Sequence, residues 1–374
     1  MNGTQVSFSG KLAVQQRVLP SYRVPFFEEL AQLCQNGMSL FAGKPRLEEA
    51  IQTADEMQNA KLVHAKNRHV LSGPFYLCYQ PEITDWLQAQ QPDALVVEAN
   101  SRYPSTRKAI RWMQAMKRPV LGWGLGAPSL DGPLAGLRKQ ARRRFLLSLD
   151  GVIAYSERGA VEYRAIGVPS NRVFVAHNAA VPRPSALPEK QRPDHGQAVV
   201  LFVGRLQARK RLDMLFSACA ALPAEQQPEL VIVGDGPDRE LFESQAQAVY
   251  PAARFVGAKH DAELSPYFAA ADLFVLPGTG GLAVQQAMAN GLPVIVAQGD
   301  GTQEDLVRPE NGWLIEPDNQ QSLNDRLAQA LSDRGRLRKM GEESFRITVE
   351  EINLQQMAVK FVRAINTIKQ MGES

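Results

Sequence analysis

The amino-acid sequence predicts an α/β protein made of two doubly wound, Rossmann-like domains that face one another across a cleft. Short β-branched runs alternate with helical patterns almost throughout the 374 residues, and this alternation is typical of parallel sheets. One proline-rich stretch, residues 182–197, interrupts the alternation. The length also suits two domains of ordinary size.

The first domain covers residues 1–181 and contains the first series of strands and helices. A strand is predicted at residues 15–19, and the next helix, residues 24–34, places Phe26, Phe27 and Leu30 on one face. Further strands are predicted at residues 38–42, 61–65, 94–97, 120–123, 152–154 and 173–176, with helices at 81–90, 105–116 and 134–149. This order is that of a doubly wound parallel sheet.

The second domain, residues 198–345, follows a linker. Four prolines lie among polar residues at 182–197, and such a stretch continues neither a strand nor a helix. Strands are then predicted at residues 199–203, 230–233, 254–256, 272–276, 294–296 and 313–315. Residues 343–371 have the pattern of one long helix. The terminal segment, residues 346–374, either packs on the second domain or crosses back to the first.

Composition narrows the class of protein. The chain is 44% hydrophobic and 22% charged, which is ordinary for a globular protein. A net charge of +3 is too small to indicate nucleic acid as the main partner. The three cysteines have no metal or redox spacing, so we interpret them as buried thiols in a reducing compartment. No apolar segment approaches the roughly 20 residues of a membrane span, and we expect a cytoplasmic protein.

A glycine-rich turn is the strongest local indication of a binding site. Gly278, Gly280 and Gly281 lie between a predicted strand and a helix at residues 282–290. In such β-turn-α units, ligands bind beyond the carboxyl end of the strand, where the helix N-terminus offers unpaired N–H groups. The turn therefore predicts a site for a diphosphate group.

Several motifs resemble those of the retaining GT-B glycosyltransferases of family 4 in their order and spacing. They are Phe202-Val-Gly-Arg-Leu206 followed by Lys210, Val231-Ile-Val-Gly-Asp-Gly-Pro237, Phe255-Val-Gly257, Ala271-Asp-Leu-Phe-Val-Leu-Pro277, Ala287-Met-Ala-Asn-Gly-Leu-Pro-Val294 and Asn311-Gly312. The resemblance covers roughly residues 198–320. The first half resembles the family less, through Ser156 and through Val175-Ala-His-Asn178. The resemblance implies a GT-B fold and sugar transfer from a nucleotide sugar.

The resemblance implies catalytic roles for Arg205 and Lys210, which neutralise the leaving diphosphate in the family. A guanidinium and a flexible ammonium suit that task, although a lone pair of loop cations is commonly solvated surface. Gly204 and Gly257 are implied to line the donor. The Gly234-Asp-Gly-Pro237 turn serves either the donor or only a tight strand-to-helix turn.

The chain departs from the family at two positions. Members carry two glutamates separated by seven residues, and the corresponding residues here are Gly278 and Gln286. Gln286 keeps a hydrogen-bonding amide for a ribose hydroxyl. At Gly278 the side-chain contact to the sugar is lost, which leaves recognition to the backbone of Thr279, Gly280, Gly281 and Leu282. The site is either an active variant or a decayed one.

The expected mechanism follows from the same resemblance. It implies retention of anomeric configuration without a covalent protein intermediate, with the leaving phosphate taking the acceptor's proton. No Asp-x-Asp signature stands at a strand end, so no metal and no cofactor are expected. We therefore predict a hexosyltransferase that acts on a saccharide or lipid-linked acceptor in polysaccharide or glycoconjugate biosynthesis. The alternatives are a nucleotide-sugar epimerase of the same architecture and a non-catalytic nucleotide-sugar-binding relic.

The first domain is expected to bind the acceptor. Glu98 and Asn100 follow a predicted strand, so they are expected at its carboxyl end. Glu98 is either a general base or acceptor ligand, or the cap of the next helix. Tyr22 and Arg23, in the turn after the first strand, correspond to the acceptor loop of the family.

One predicted helix of the first domain is strongly basic. It carries Arg138, Lys139, Arg142, Arg143 and Arg144 among leucines. A basic amphipathic helix binds anionic membrane surfaces, whereas a run of charges is commonly just a solvated face. The expected partner is the inner face of the cell membrane, contacted peripherally.

Overall fold

The computed structural model describes residues 6–49, 51–189 and 196–373, with Asp261 described for its backbone alone. The chain divides into two units. Unit 1 comprises Met1–Asn178 together with Leu354–Ser374, and unit 2 comprises Ala179–Asn353. The C-terminal segment therefore belongs to the same unit as the first half of the chain.

Unit 1 is an α/β unit around a parallel sheet. Its strands are β1 (Leu12–Val18), β2 (Met38–Gly43), β3 (Lys61–Ala65), β4 (Arg68–Val70), β5 (Leu77–Tyr79), β6 (Ala94–Glu98), β7 (Val120–Gly124), β8 (Gly151–Ala154) and β9 (Val173–Val175). The helices in its first part, before unit 2 begins, are α1 (Val24–Gln32), α2 (Ile83–Gln90), α3 (Pro104–Ala115), α4 (Ala135–Leu147) and α5 (Glu157–Ala165). The parallel sheet has the order β3-β2-β1-β6-β7-β8-β9.

Unit 2 repeats the architecture with its own parallel sheet. Its strands are β10 (Val199–Val203), β11 (Glu229–Val233), β12 (Arg254–Phe255), β13 (Leu273–Leu276), β14 (Val294–Ala297) and β15 (Gly312–Ile315). Its helices are α6 (Leu212–Ala220), α7 (Arg239–Val249), α8 (Ser265–Ala270), α9 (Leu282–Ala289), α10 (Thr302–Leu306), α11 (Gln320–Leu331) and α12 (Arg334–Glu350). The sheet order is β12-β11-β10-β13-β14-β15.

Both sheets have a central point where the chain reverses its direction of winding. In unit 1 this switch point lies between β1 and β6, and in unit 2 between β10 and β13. The loops after the two strands of a switch point diverge to opposite faces and leave a crevice, which is where open α/β sheets bind ligands. The fold thus places one candidate site in each unit.

The strands form because their residues are apolar on both faces. Every residue of β10, β13 and β14 is buried, as expected for parallel strands covered by helices on both sides. β1 starts at Leu12, three residues before the predicted start, since the Leu12 N–H donates to the Gly37 carbonyl at 3.0 Å. The three cysteines are free and buried, which confirms their predicted burial.

A short antiparallel hairpin, β4 with β5, was not predicted. Its first strand is largely exposed and has no apolar run that would indicate a strand. The His69 and Tyr76 rings stack across it with centroids 5.9 Å apart, and the imidazole Nδ1 is 2.8 Å from the tyrosine hydroxyl. This contact between side chains supports the hairpin, and the periodicity of apolar residues in the sequence does not predict it.

The prediction of one helix over residues 343–371 is wrong. α12 ends at Glu350, and a separate helix α13 (Leu354–Glu373) follows. The side-chain amide of the buried Asn353 donates to the Thr348 and Val349 carbonyls at 2.8 and 3.0 Å. These carbonyls belong to the last turn of α12, where the helix itself supplies no partner, and α12 ends there. α12 packs against α9 in unit 2, whereas α13 packs against α1 in unit 1.

The predicted linker contains neither helix nor strand over residues 182–189. Its part from 190 to 195, which includes Pro193, lies outside the described residues. In the ranges that the structure describes, no helix combines the length and apolar character needed to cross a bilayer.

Candidate functional site

The switch point of unit 2 brings two distant loops together. Residues 204–211 follow β10 and residues 277–281 follow β13, and the two strands are paired neighbours in the sheet. The Thr279 N–H donates to the Arg209 carbonyl at 3.0 Å. The glycine-rich turn and the predicted catalytic loop therefore form one site.

Gly278 is packed directly against the backbone of the other loop. A Cβ atom at this position would overlap the Arg209 carbonyl oxygen and lie 2.6 Å from the Lys210 Cα. Both atoms belong to the main chain, so neither can rotate away. The space that a side chain would need here is occupied by backbone, and the glycine is what allows the two loops to meet.

Lys210 lies beneath the glycine-rich turn. Its side chain is buried, and its ammonium donates to the Thr279 carbonyl at 2.6 Å. Burial, with a smaller contribution from the neighbouring Arg209 charge, lowers the pKa of Lys210 to about 8. Gly280 has a φ of +146°, and a Cβ there would lie 2.5 Å from the Lys210 Nζ. This turn therefore needs glycine both for its backbone conformation and for its contact with the ammonium.

Arg205 and Arg209 lie on the same loop as Lys210. The fourth cation of this loop, Arg211, pairs with Asp213 at 3.2 Å and is not counted with them. Arg205 is exposed, and within the described residues its side chain makes no hydrogen bond or ion pair. Arg209 is also exposed and donates to the Thr279 hydroxyl at 3.2 Å and to Gln207 Oε1 at 2.9 Å. Arg209 was missed by sequence reasoning, although its place beside Lys210 was a usable signal. Three cations on one loop make a strong site for a multiply charged anion.

The Gly234-Asp-Gly-Pro237 turn supports the Arg205 loop. A Cβ at Gly234 would overlap the carbonyl oxygen of Gly204. The Leu206 N–H donates to the Asp235 carbonyl at 2.9 Å, and the Gly234 N–H donates to the Gly257 carbonyl at 2.9 Å. These contacts favour the structural interpretation of the turn. They also place Gly204 and Gly257 in one connected set of loops.

Helix α9 points its first turn into the site. Gly281 is its N-cap and has no side-chain cap bond, and Leu282 is the first helical residue. The exposed N–H groups and the helix dipole favour an anion at this end. Gln286 lies one turn further along, half-buried, and its amide has no partner among the residues that the structure describes. Its hydrogen-bonding groups remain open to a ligand.

Gln303 was not found by sequence reasoning, because nothing in its local pattern distinguishes it. It is buried, its Nε2 donates to the Gly280 carbonyl at 2.8 Å, and its Oε1 accepts from the Asp300 N–H at 3.1 Å. Gln303 therefore fixes the glycine-rich turn from the side opposite Lys210. In the described ranges, no group of three or more His, Cys, Asp or Glu side chains is placed to hold a metal ion.

The switch point of unit 1 holds Glu98 at the end of β6. Its Oε1 accepts from the Arg17 N–H at 2.5 Å, and burial raises the pKa of the carboxyl. The N-cap of the following helix α3 is Tyr103, and no side chain caps it. The alternative that Glu98 caps this helix is therefore wrong.

A cavity of about 620 Å³ opens beside Glu98, entirely within unit 1. Its walls include Glu98, Asn100, Arg102, Trp123, Arg138, Arg142 and Tyr155. The Asn100 Oδ1 accepts from the Arg102 N–H at 3.1 Å. A cavity of this size is large enough for a small saccharide.

Tyr22 and Arg23 lie next to this cavity without lining it. Tyr22 is about half exposed, whereas Arg23 is only 7% exposed. The Arg23 guanidinium carbon lies 5.2 Å from the Tyr22 ring centroid, 5.1 Å from that of Trp123 and 5.7 Å from that of Tyr155. Because Trp123 and Tyr155 line the cavity, Arg23 supports its aromatic wall through cation–π contacts.

The five basic residues of α4 do not share one solvent-facing surface. Arg138 and Arg142 line the cavity, and the Arg143 Nε donates to the Ile166 carbonyl at 3.0 Å. Lys139 and Arg144 are exposed. Of the five side chains through which membrane contact was predicted, those of Lys139, Arg143 and Arg144 are exposed, and the membrane contact itself stays a prediction.

Comparison with known sequences matches the second half of the chain. Residues 185–346 match the family described as glycosyl transferases group 1. A GDP-mannose-dependent alpha-mannosyltransferase of Mycobacterium tuberculosis is 37% identical over 169 residues, which are 44% of this chain and 42% of that protein. The match thus spans less than half of the relative's length.

Comparison with solved structures extends over nearly the whole chain. The crystal structure of Anabaena HepE in complex with UDP aligns with a TM-score of 0.71 at 16% identity, covering 95% of this chain and 99% of that one. Sucrose-phosphate synthase from Thermosynechococcus elongatus aligns with a TM-score of 0.70 at 18% identity, covering 97% and 100%. These alignments confirm the predicted GT-B fold.

Proposed function

We propose that the protein is a glycosyltransferase that moves a sugar from a nucleotide sugar to a saccharide or lipid-linked acceptor. The observation that carries this proposal is the set of three cations, Arg205, Arg209 and Lys210, at the switch point of a unit that matches the group 1 glycosyl transferases. The relative that uses GDP-mannose and the similar structure that binds UDP support a nucleotide donor.

The leaving group is a nucleoside diphosphate. As the bond between the anomeric carbon and the β-phosphate oxygen breaks, negative charge develops on that oxygen and is stabilised by fixed donors. The Arg205 side chain is exposed, so it can bind the phosphates of the donor at the surface of the unit. The Lys210 ammonium exchanges its bond with the Thr279 carbonyl for one with a phosphate oxygen, and Arg209 adds charge beside it.

The donor sugar is recognised by backbone groups rather than by a carboxylate. Gly278 offers no side chain, and the two loops pack too closely to admit one. The N–H groups at the start of α9, from Leu282 onward, take over part of this role. Gln286 binds the nucleotide's ribose through its amide in place of the usual glutamate.

The reaction retains the anomeric configuration and uses neither a metal nor a protein nucleophile. The departing phosphate takes the proton of the acceptor hydroxyl as the new glycosidic bond forms. The acceptor occupies the cavity beside Glu98. A carboxyl with a raised pKa there holds the acceptor by hydrogen bonding.

A non-catalytic nucleotide-sugar-binding protein is the second candidate, and one observation favours it. The backbone contact at Gly278 closes the position from which a glutamate would reach the donor sugar. Such a protein would keep the diphosphate cations while lacking the sugar contact needed for transfer.

We also propose peripheral contact with anionic membranes through α4, in polysaccharide or glycoconjugate biosynthesis at the inner face of the cell membrane. Lys139 and Arg144 are exposed, and so are the nearby Leu134 and Leu137. Sedimentation with vesicles containing phosphatidylglycerol should fall in a Lys139→Gln/Arg144→Gln/Leu137→Ser variant. Equal sedimentation of variant and wild type would contradict this contact.

A donor panel tests the proposed function. The wild-type protein is incubated with UDP-, GDP- and ADP-sugars, with and without sugar and lipid-linked acceptors, and free nucleoside diphosphate is measured. We expect at least one donor to turn over, faster when its acceptor is present. Binding of a nucleotide sugar without turnover of any donor would instead establish the non-catalytic candidate.

A further inference from the structure

The cavity of unit 1 is lined by an excess of positive charge. Three guanidinium groups, those of Arg102, Arg138 and Arg142, face a single carboxyl, that of Glu98. Burial raises the pKa of Glu98, because it disfavours the charged form of the carboxyl. Among the described residues, none of the three arginines lies within ion-pair distance of a carboxylate. The lining of the cavity therefore carries more positively charged than negatively charged side chains.

Arg142 is the most confined of these groups. Its Nη2 donates to the Ala127 carbonyl at 3.2 Å, while its Nε is buried and has no hydrogen-bond partner in the structure. Glu162, whose charge acts on Arg142, accepts from the Ala127 N–H at 2.8 Å and pairs with Arg158 at 3.6 Å. A buried donor left without a partner destabilises the folded protein. Such a cost is tolerated where a ligand uses the group.

The rest of the cavity suits a sugar ring. Aromatic side chains form part of its wall, among them Phe75, Tyr76, Trp123 and Tyr155. Aromatic faces pack against the apolar faces of pyranose rings, and the few convergent polar groups fix orientation. The lining therefore combines a saccharide surface with an anion site.

We propose that the acceptor carries a phosphate group, which Arg138 and Arg142 bind while Arg102 adds a third charge. A phosphate monoester carries about −1.5 to −2 charges at neutral pH and three acceptor oxygens, which matches several guanidinium groups better than one carboxylate does. The phosphate belongs either to a soluble sugar phosphate or to a lipid-linked sugar. This inference rests on the proposed function for the acceptor's identity, but phosphate binding by the cavity can be measured by itself.

Binding of matched ligand pairs tests the proposal. Calorimetry compares hexose 1-phosphates and 6-phosphates with the free hexoses and with glucuronate. It also compares a lipid-linked hexose that carries a phosphate monoester, in detergent, with its dephosphorylated form. We expect a phosphorylated ligand from one of these arms to bind at least tenfold more tightly than its neutral counterpart. The arm that binds identifies the source of the phosphate.

Variants of one helix locate the site. Arg138→Gln/Arg142→Gln should lose the preference for phosphate by tenfold or more, and Arg142→Lys should lose part of it. Arg107→Gln/Arg111→Gln removes the same charge from the exposed face of α3, outside the cavity, and should keep the preference. Unchanged thermal melting shows that the variants fold, and the single variant Arg138→Gln replaces the double one if it does not.

Three results would overturn the phosphate site. They are equal binding of phosphorylated and neutral ligands in both arms, tighter binding of glucuronate, and a phosphate preference that survives in Arg138→Gln/Arg142→Gln. Nucleoside diphosphate binding to unit 2 is measured in parallel. Its absence in the wild type would count against the proposed function, whatever the result for the cavity.

Discussion

At Gly278 a single hydrogen atom in place of a side chain allows two loops to touch. The motif spacing predicted that this residue replaces a glutamate, and it also predicted Arg205 and Lys210 as neighbours in one site. The backbone contact with Arg209 could not be predicted, because it joins residues about 70 positions apart through their main-chain atoms. Gln303 also escaped prediction, because nothing in its local pattern indicates that its side-chain amide donates to the Gly280 carbonyl.

Replacing Gly278 by alanine should destabilise unit 2. The added Cβ would overlap main-chain atoms of Arg209 and Lys210, and overpacking of this kind costs about 1–3 kcal/mol. The Tm should fall by about 2–4 °C for each kcal/mol lost in a unit of this size. The control is Gly281→Ala in the same turn, where the nearest atom to an added Cβ is 3.8 Å away. Equal melting of the two variants would show that the contact is not tight in solution.

Lys210 should make diphosphate binding depend on pH. Its pKa of about 8 is lowered from the usual lysine value, so below pH 8 the free protein already carries the charge that a diphosphate binds. Above pH 8 the free side chain is neutral, and binding must take up a proton. The Kd for the nucleoside diphosphate should therefore rise with pH, by up to about tenfold per unit.

The control for this pH dependence is Lys210→Arg, whose guanidinium stays protonated throughout the range. Titration calorimetry at pH 7 to 9.5 measures both proteins. We expect a flat profile for the arginine variant. A flat profile for the wild type as well would mean that Lys210 does not change its protonation on binding.

Among the elements, most strands and helices could be predicted because apolar periodicity and β-branched runs determine them locally. The hairpin of β4 and β5 could not, since each strand has only three residues and β4 is largely exposed. The break between α12 and α13 depends on the side chain of Asn353 and on packing partners in two different units. The distribution of the α4 arginines between cavity and solvent likewise depends on tertiary packing.

Helix α13 should be essential to the stability of unit 1. Phe361 is fully buried, and its ring centroid lies 4.9 Å from that of Phe26 and 5.2 Å from that of Trp123. Phe361→Ala should cost about 3–5 kcal/mol, and Phe361→Leu clearly less. Urea unfolding followed by tryptophan fluorescence measures both. If Phe361→Ala unfolds at the same urea concentration as the wild type, the helix contributes little to the stability of unit 1.

For the whole molecule, the two-domain α/β fold could be predicted from the alternation of elements and the proline-rich break. The C-terminal segment returns to unit 1, which the sequence left open because an amphipathic pattern does not identify its partner. The cavity beside Glu98 draws its lining from residues 71 to 155. No local motif unites them, so its shape and charge emerge only from the folded unit.

The central claim is that unit 2 binds a nucleoside diphosphate through Arg205 and Lys210 without a carboxylate at position 278. Titration calorimetry with UDP, GDP and ADP tests it in the wild type, in Arg205→Ala and Lys210→Ala, and in Arg254→Ala, which removes a cation elsewhere in unit 2. We expect one nucleotide to bind the wild type and Arg254→Ala alike. Each of the other two variants should bind it at least tenfold more weakly. Wild-type affinity in Arg205→Ala and Lys210→Ala would contradict the account.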